Sequence, residues 1–396
     1  MTSSLGDGGD ASGMPQITVL LADDSLTTRG AIRRALALTP DIQVVAEASN
    51  GQAAIDLAGE TLPSVIVLDI EMPILSGLEA LPRILMASPN SRIVVASALT
   101  HRNAAISLQA LHLGASDYIG KPSLESGQTF ESFSTELATK IRALARARSA
   151  PAIKRAAPLA SAPPAGSTLA PRSAAMAAKA PGAHDNTPVK LRGMSGRKPD
   201  IIVVGSSTGG PQALMRLLPK IVERASQPIL IVQHMPPTFT KILSEHVASY
   251  TGRPCREAED GEIMKAGHIY VAPGNYHMRV SGRRLSPVLR LDQGAQENFC
   301  RPAVDPLLRS VAEVFGANAI ACILTGMGQD GLAGAREFVA AGGTLFAQDE
   351  ESSVVWGMPG AVAMAGLCTA VLQPEALGER IGRIAASGTS ASGSGA

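Results

Sequence analysis

The sequence has almost no net charge and few cysteines. The first argues against a protein that binds nucleic acid or anionic membranes, and the second against a protein held together by disulfides or a cysteine-bound metal. It carries 35 basic and 34 acidic residues, a formal net charge of +1, so no excess of one sign calls for nucleic acid or an anionic membrane as partner. The four cysteines, Cys255, Cys300, Cys322 and Cys368, show no C-x-x-C spacing. This favours reduced thiols over disulfides or a metal site.

Long apolar runs are also missing. No segment reaches the ~18 consecutive apolar residues that a membrane-spanning helix needs. The first residues, MTSSLGDGGDASGMP, include acidic side chains and no apolar core, so they do not form a signal peptide. We therefore expect a soluble, cytoplasmic protein without membrane insertion.

The first part of the chain alternates short apolar strands with amphipathic helices. The expected strands are 17–22, 42–48, 65–69, 92–97 and 117–120, and a last helix spans about 130–146. Strands that are apolar throughout are buried on both faces, which predicts a parallel sheet covered by helices. Five such units in one stretch predict a doubly wound α/β domain over residues 15–147.

Composition changes after this domain. Residues 148–198 are rich in alanine and proline and offer almost no large apolar side chain to bury, which predicts a linker. Residues 389–396 are expected to form a disordered tail. Between them, residues 199–388 return to α/β alternation and predict a second doubly wound domain with an antiparallel hairpin, its tight turn at Ser281-Gly282.

The strands expected in the second domain are the following segments: 201–205, 228–233, 268–272, 319–325, 344–347 and 369–372.

Charged residues collect where strands of the first domain end. Asp23 and Asp24 follow the first strand, Asp69 ends the third, and Lys121 follows the fifth. Parallel strands bring these ends to one edge of the sheet, where a hard divalent cation such as Mg²⁺ would relieve repulsion between the carboxylates. The lysine and the cation could then neutralise a phosphoryl group while a carboxylate attacks phosphorus. Acidic loop ends exposed to solvent are the alternative.

This ordered set resembles the receiver domain of two-component response regulators. The matching residues are Asp23-Asp24, Asp69, Met72-Pro73, Gly77, Ser97 and Lys121-Pro122. The resemblance implies that Asp69 is the phosphoacceptor and that Ser97, Tyr118 and Lys121 are the switch residues. It also implies Mg²⁺ held by Asp24, Asp69 and the backbone carbonyl of Glu71, with Asp23 in the same acidic cluster.

A second reactive motif follows the strand at 201–205. Gly205-x-Ser207-x-Gly209 has the spacing of a nucleophile elbow, in which a serine is exposed at a strand-to-helix corner. Among seven histidines only His234 ends an apolar strand, which places it beside Ser207 if the two strands are neighbours. Asp330 enters the same edge after another strand, and nearby glycines could provide oxyanion-binding N–H groups.

Two alternatives concern these motifs. Ser206 and Ser207 could simply cap the following helix. The segment GMGQDG also satisfies G-x-G-x-x-G, with Gly326, Gly328 and Gly331, which is a weak indication of dinucleotide binding.

Several segments of this region resemble the catalytic domain of the chemotaxis protein-glutamate methylesterases. They are GSSTGG, QHMP, YVAPG, RPAVDPLL, TGMGQDG and the late MPG. The resemblance implies Ser207 as nucleophile, His234 as base and Asp330 as its orienting partner. It further implies that Thr208 supports the histidine and that the Met327 N–H contributes to the oxyanion hole.

Together the two resemblances imply a phosphorylation-activated hydrolase of glutamate γ-methyl esters on chemoreceptors, with glutamine deamidation as a parallel reaction. The implied partners are methyl-accepting chemoreceptors as substrate and a chemotaxis histidine kinase as phosphodonor, for a monomer that binds no nucleic acid. The esterase chemistry itself would need no cofactor. Rival hypotheses are a phosphorylation-gated binding module and a DNA-binding regulator, although no helix-turn-helix pattern follows the first domain.

Overall fold

The computed structural model describes residues 16–97, 100–121, 129–148, 189–194 and 196–387. Most of the expected linker and the expected tail at 389–396 lie outside these residues. No helix in the described ranges is both long and apolar enough to cross a membrane.

The first sheet has five strands, all paired in parallel, in the order β2-β1-β3-β4-β5. The strands are β1 (Ile17–Ala22), β2 (Ile42–Ala48), β3 (Val65–Asp69), β4 (Arg92–Ser97) and β5 (Asp117–Gly120). The helices are α1 (Leu26–Ala37), α2 (Gly51–Thr61), α3 (Gly77–Ala87), α4 (His101–His112) and α5 (Phe130–Arg148). Burial of β3 along its whole length confirms the doubly wound arrangement expected from the continuous apolar runs.

The second sheet has seven parallel strands in the order β14-β13-β12-β6-β7-β9-β8. These are β6 (Ile201–Ser206), β7 (Ile229–Gln233), β8 (Cys255–Glu257), β9 (Ile269–Val271), β12 (Ala319–Ile323), β13 (Thr344–Gln348) and β14 (Ala370–Leu372). The short edge strand β8 was not expected, because its three residues carry no run of apolar side chains.

Among the described residues, six α-helices and one short 3₁₀ helix (Gly316–Asn318) belong to this second unit. The α-helices are α6 (Gly210–Val222), α7 (Pro237–Thr251), α8 (Val304–Phe315), α9 (Leu332–Ala340), α10 (Met358–Met364) and α11 (Pro374–Ser387). In α6 the apolar face is buried and its first residues follow β6 directly, so the helix starts at the edge of the sheet where β6 ends.

The antiparallel hairpin consists of β10 (His277–Arg283) and β11 (Ser286–Asp292). Its turn lies at residues 284–285, so the expected turn at Ser281-Gly282 is wrong. The observed register pairs Val280 with Leu289, and both side chains are buried. A turn at Ser281-Gly282, three residues earlier, would separate Val280 from Leu289, and the burial of this apolar pair favours the longer strands.

Candidate functional site

Ser207 lies at the corner between β6 and α6. Gly209 caps the helix with a left-handed φ of 75° and no side chain caps it, so the alternative that the serines serve as a helix cap is wrong. The corner is tightly packed, since a Cβ on Gly326 would lie 2.8 Å from the Ser207 Cβ. The Ser207 side chain is left partly exposed at the edge of the sheet.

His234 follows the neighbouring strand, as expected. Strands β6 and β7 are paired in parallel, with Ser206 opposite Gln233, and the His234 N–H donates to the Ser206 carbonyl at 3.1 Å. The His234 Nε2 lies 2.7 Å from Asp330 Oδ2. Asp330 comes from the segment after β12, the strand on the other side of β6.

Asp330 is 1% exposed and is held by donors from several segments. Its Oδ2 accepts from the Val304 N–H at 2.6 Å, and its Oδ1 accepts from Gly331 N–H at 2.9 Å, Asn298 Nδ2 at 3.1 Å and Asp305 N–H at 3.2 Å. Burial acts to raise the pKa of Asp330, but the histidine and these N–H groups outweigh it and lower the pKa overall. The carboxylate is therefore ionised and fixed in orientation.

The imidazole of His234 has a second partner. Its Nδ1 lies 3.4 Å from the Sγ of Cys300. Burial lowers the pKa of His234, but the hydrogen bonds to Asp330 and Cys300 outweigh burial and raise the pKa to about 10. In the conformation of this structure these contacts therefore favour the imidazolium over the neutral imidazole.

The carboxylates expected to form a cluster in the first sheet do so. Ligand oxygens of Asp23, Asp24 and Asp69 lie within 4.8 Å of one another. Lys121 Nζ lies 2.7 Å from both Asp23 Oδ2 and Asp69 Oδ2. Burial raises the pKa of Asp69, and Lys121 offsets only part of that rise. An all-oxygen set of carboxylates fits a hard divalent cation, which would also keep Asp69 ionised.

A small cavity adjoins this cluster. Its volume is about 240 Å³, and it is lined by Asp24, Asp69, Ile70, Glu71, Ser97, Asn103 and Lys121. Glu71 and Ser97 thus line a cavity beside the cluster. Tyr118 is not among these lining residues, and its ring is buried against Phe239 of α7.

Two family models match the chain. The model described as response regulator receiver domain matches residues 19–128, and the model described as CheB methylesterase matches residues 202–381. Protein-glutamate methylesterase/protein-glutamine glutaminase 1 of Paramagnetospirillum magneticum is 48% identical over 363 residues, which cover 90% of this chain and 93% of that protein. The chain belongs to the protein-glutamate methylesterase family.

Other similar proteins carry related descriptions. The protein-glutamate methylesterase/protein-glutamine glutaminase of group 2 operon from Rhodospirillum centenum is 48% identical over 382 residues, 96% of each chain. The crystal structure of the Thermotoga maritima CheB methylesterase catalytic domain is 41% identical, with a TM-score of 0.46, and covers 47% of this chain and 99% of that one.

In this methylesterase the receiver domain is docked beside Ser207. The hydroxyl of Thr208 donates to Asp117 Oδ2 of the receiver at 2.7 Å, and Lys140 Nζ donates to the same oxygen at 2.7 Å. The Tyr118 ring stacks on Phe239 of the methylesterase domain, with centroids 4.4 Å apart. In this conformation the Thr208 hydroxyl is therefore engaged by the receiver and does not contact His234.

Further contacts extend the docked surface. Gln212 of α6 donates from Nε2 to the carbonyls of Leu111 at 2.6 Å and Ala115 at 2.5 Å, both in the receiver domain. Met327, expected at the oxyanion hole, packs with Val355 against the apolar cluster that contains receiver helix α5. Residues on both sides of the methylesterase site thus carry receiver contacts.

Three residues of the site were not singled out from the sequence. Gln233 accepts from Ser206 Oγ at 2.6 Å and donates to the Ser207 carbonyl at 2.9 Å. Asn298 and Cys300 reach the site from the segment that directly precedes RPAVDPLL, and they lie 32 residues from Asp330 and 66 residues from His234, respectively. Gln233 could have been found, because it adjoins His234 at the end of the same strand, whereas the other two carry no local pattern.

Proposed function

We propose that this chain is a phosphorylation-activated protein-glutamate methylesterase with Ser207 as nucleophile, His234 as base and Asp330 as orienting carboxylate. The observation that carries the proposal is the pair formed by His234 Nε2 and buried Asp330 at 2.7 Å, one strand away from the serine corner. This is the nucleophile–base–orienter relation that activates a weak hydroxyl. We infer a receiver domain over 15–147 and a methylesterase domain over 199–388.

The reaction proceeds in two steps. Ser207 Oγ attacks the γ-carbonyl of a receptor glutamate methyl ester as His234 takes its proton, and His234 returns that proton to the departing methanol. Water then attacks the acyl-enzyme with His234 again as base, which frees the glutamate and the serine. The Met327 N–H stabilises the oxyanion once the receiver has moved. A glutamine substrate follows the same route and releases ammonia.

Control resides in the acidic cluster. Mg²⁺ bound by Asp24, Asp69 and the Glu71 carbonyl, beside Asp23, would neutralise charge on the phosphoryl group. Asp69 accepts that group from a chemotaxis histidine kinase, while Lys121 and Ser97 contact its oxygens. Tyr118 connects this site to the methylesterase domain through its stack on Phe239. We place the protein in the cytoplasm, as a monomer that acts on the cytoplasmic part of methyl-accepting chemoreceptors.

The experiment that tests this function is methanol release from methylated receptor membranes, measured with and without a phosphodonor. We expect hydrolysis in both conditions and a higher rate with the donor. A binding module without activity would release no methanol under either condition.

We expect His234→Gln and Asp330→Asn to impair the same step as loss of Ser207. Combining either change with Ser207→Ala should add little further loss, because residues that act as a unit are strongly non-additive. Single-turnover hydrolysis of a methylated receptor peptide measures this. His268→Gln is the control, because His268 bonds the Ala266 carbonyl and lies outside the site. If His268→Gln lost as much activity as His234→Gln, the base would have to be another residue.

We expect Asp69→Asn to abolish Mg²⁺-dependent labelling by a small acyl phosphate donor and with it the stimulation of methanol release. Basal activity should persist, since the methylesterase site is unaltered. Asp24→Ala should remove the Mg²⁺ dependence by removing a ligand. The matched control is Asp56→Asn, which changes an aspartate of α2 that bonds only Gln52 among the contacts described. Label retained in Asp69→Asn would place the acceptor elsewhere.

A further inference from the structure

Cys300 is held against the imidazole by an unusual segment. Asn298 and Phe299 adopt left-handed φ values of 51° and 62°, which side chains rarely take without compensation. The Asn298 amide bonds Asp330, and Glu297 exchanges two backbone hydrogen bonds with Cys300. The segment thereby fixes the thiol 3.4 Å from His234 Nδ1.

The nitrogen that Cys300 contacts is the one that the reaction needs. Asp330 engages Nε2, so Nδ1 is the atom left to receive the proton of Ser207. If the imidazole is neutral, the thiol donates to Nδ1 and occupies its lone pair. If the imidazole is charged, Nδ1 already carries a proton and faces the sulfur. In both states Nδ1 is occupied, so His234 can take the proton of Ser207 only when the contact with Cys300 opens.

The receiver domain reaches the edge of the site that holds this thiol through Lys140 and Asp117. Burial opposes the charge on Lys140, but nearby carboxylates outweigh burial and raise its pKa. Lys140 also donates to Asp117 Oδ2, the oxygen that binds Thr208. Docking of the receiver therefore places the Lys140 ammonium and the Asp117 carboxylate beside Thr208, the residue that follows Ser207.

We propose that Cys300 is a positioning residue of the resting state, which engages His234 Nδ1 while the receiver is docked and releases it when the receiver leaves. This inference rests on the proposed role of His234 as base. It makes the thiol part of the control by phosphorylation: the docked receiver both covers the site and disables the base.

The test is the pH dependence of methyl ester hydrolysis between pH 6 and 10.5 for full-length Cys300→Ala, unphosphorylated and treated with acetyl phosphate and Mg²⁺. Losing one hydrogen bond that stabilises the imidazolium should move the acidic limb of the unphosphorylated enzyme down by about one pH unit. Its rate at pH 7 should rise roughly tenfold, because that shift increases the neutral fraction of the base by the same factor. The phosphorylated enzyme should change less than about twofold, since the thiol has already been released.

Cys300→Ser keeps a small polar group, so its acidic limb should lie between those of the wild type and Cys300→Ala. This second variant keeps the test valid if the alanine variant misfolds. Cys255→Ser changes the other partly exposed thiol, far from His234, and should match the wild type in both states. Ser207→Ala measures the rate of spontaneous hydrolysis. Enzymatic activity that remained in this variant would refute Ser207 as the nucleophile, whatever the result for Cys300. The inference would be overturned if the acidic limb of the pH profile did not move in either Cys300 variant. It would also be overturned if the variants lost activity equally in the phosphorylated and unphosphorylated states.

Discussion

Replacing Ser207 by alanine should reduce methyl ester hydrolysis on the order of 10³-fold or more, as loss of a triad nucleophile does. Ser207 alone stands at the exposed corner between β6 and α6, one strand from the His234–Asp330 pair. The adjacent hydroxyl of Ser206 cannot replace it, since Ser206 is fully buried and bonded to Gln233 Oε1. The measurement is methanol release from methylated receptor membranes in the presence of a phosphodonor.

The matched control is Ser206→Ala, one residue earlier. Ser206 is fully buried and its Oγ donates to Gln233 Oε1 at 2.6 Å, so its role is structural. Loss of that bond leaves the amide oxygen unpaired and should lower the free energy of unfolding by about 1–2 kcal/mol. Most of the activity should remain. Equal loss of activity in both variants, or none in Ser207→Ala, would contradict the assignment.

Deleting residues 1–188 should raise basal activity by about 5- to 150-fold relative to the unphosphorylated full-length protein, the range of a coupling of ~1–3 kcal/mol. The deletion removes the receiver groups that engage Thr208, Phe239 and Gln212. It keeps Val189, which packs against the methylesterase core, and Arg192, whose N–H donates to the Cys368 carbonyl. The measurement is the initial rate of methanol release without phosphodonor.

A point variant separates docking from other effects of the deletion. Gln212→Ala removes two donors to the receiver and should raise the basal rate of the full-length protein several-fold, while leaving the truncated chain unchanged. Arg216→Ala lies one turn further along α6, but its partner is Glu375 of the same domain, so it should leave both rates unchanged. A truncated chain no more active than the resting protein would exclude occlusion and require phosphorylation to act by positive stimulation.

The position of the reactive residues could be predicted because strand ends are local features. Continuous apolar runs indicated strands buried on both faces, and parallel strands bring their carboxyl ends together. That is sufficient to gather Asp23, Asp69 and Lys121 at one edge, and to bring His234 beside the serine corner. The choice of His234 among seven histidines depended on the same feature, since it alone follows an apolar strand.

Arguments from strand ends could not predict the hairpin turn or the contacts of Asn298. The glycine at 282 favours a turn, yet burial of Val280 against Leu289 decided the register. Asn298 lies 32 residues from Asp330 in sequence, in a segment with no strand or helix pattern that could orient it. The free energy that fixes such residues comes from packing with distant parts of the chain.

By itself, the sequence determined the two α/β units, the acidic cluster and the serine, histidine and aspartate that end neighbouring strands, because apolar periodicity and glycine placement are written into contiguous residues. Only the tertiary structure decided how the two units meet. Thr208 bonds Asp117 across 91 residues of chain, and the Sγ of Cys300 lies 3.4 Å from His234 Nδ1. These contacts depend on the docking of folded surfaces, for which no local pattern in the sequence exists.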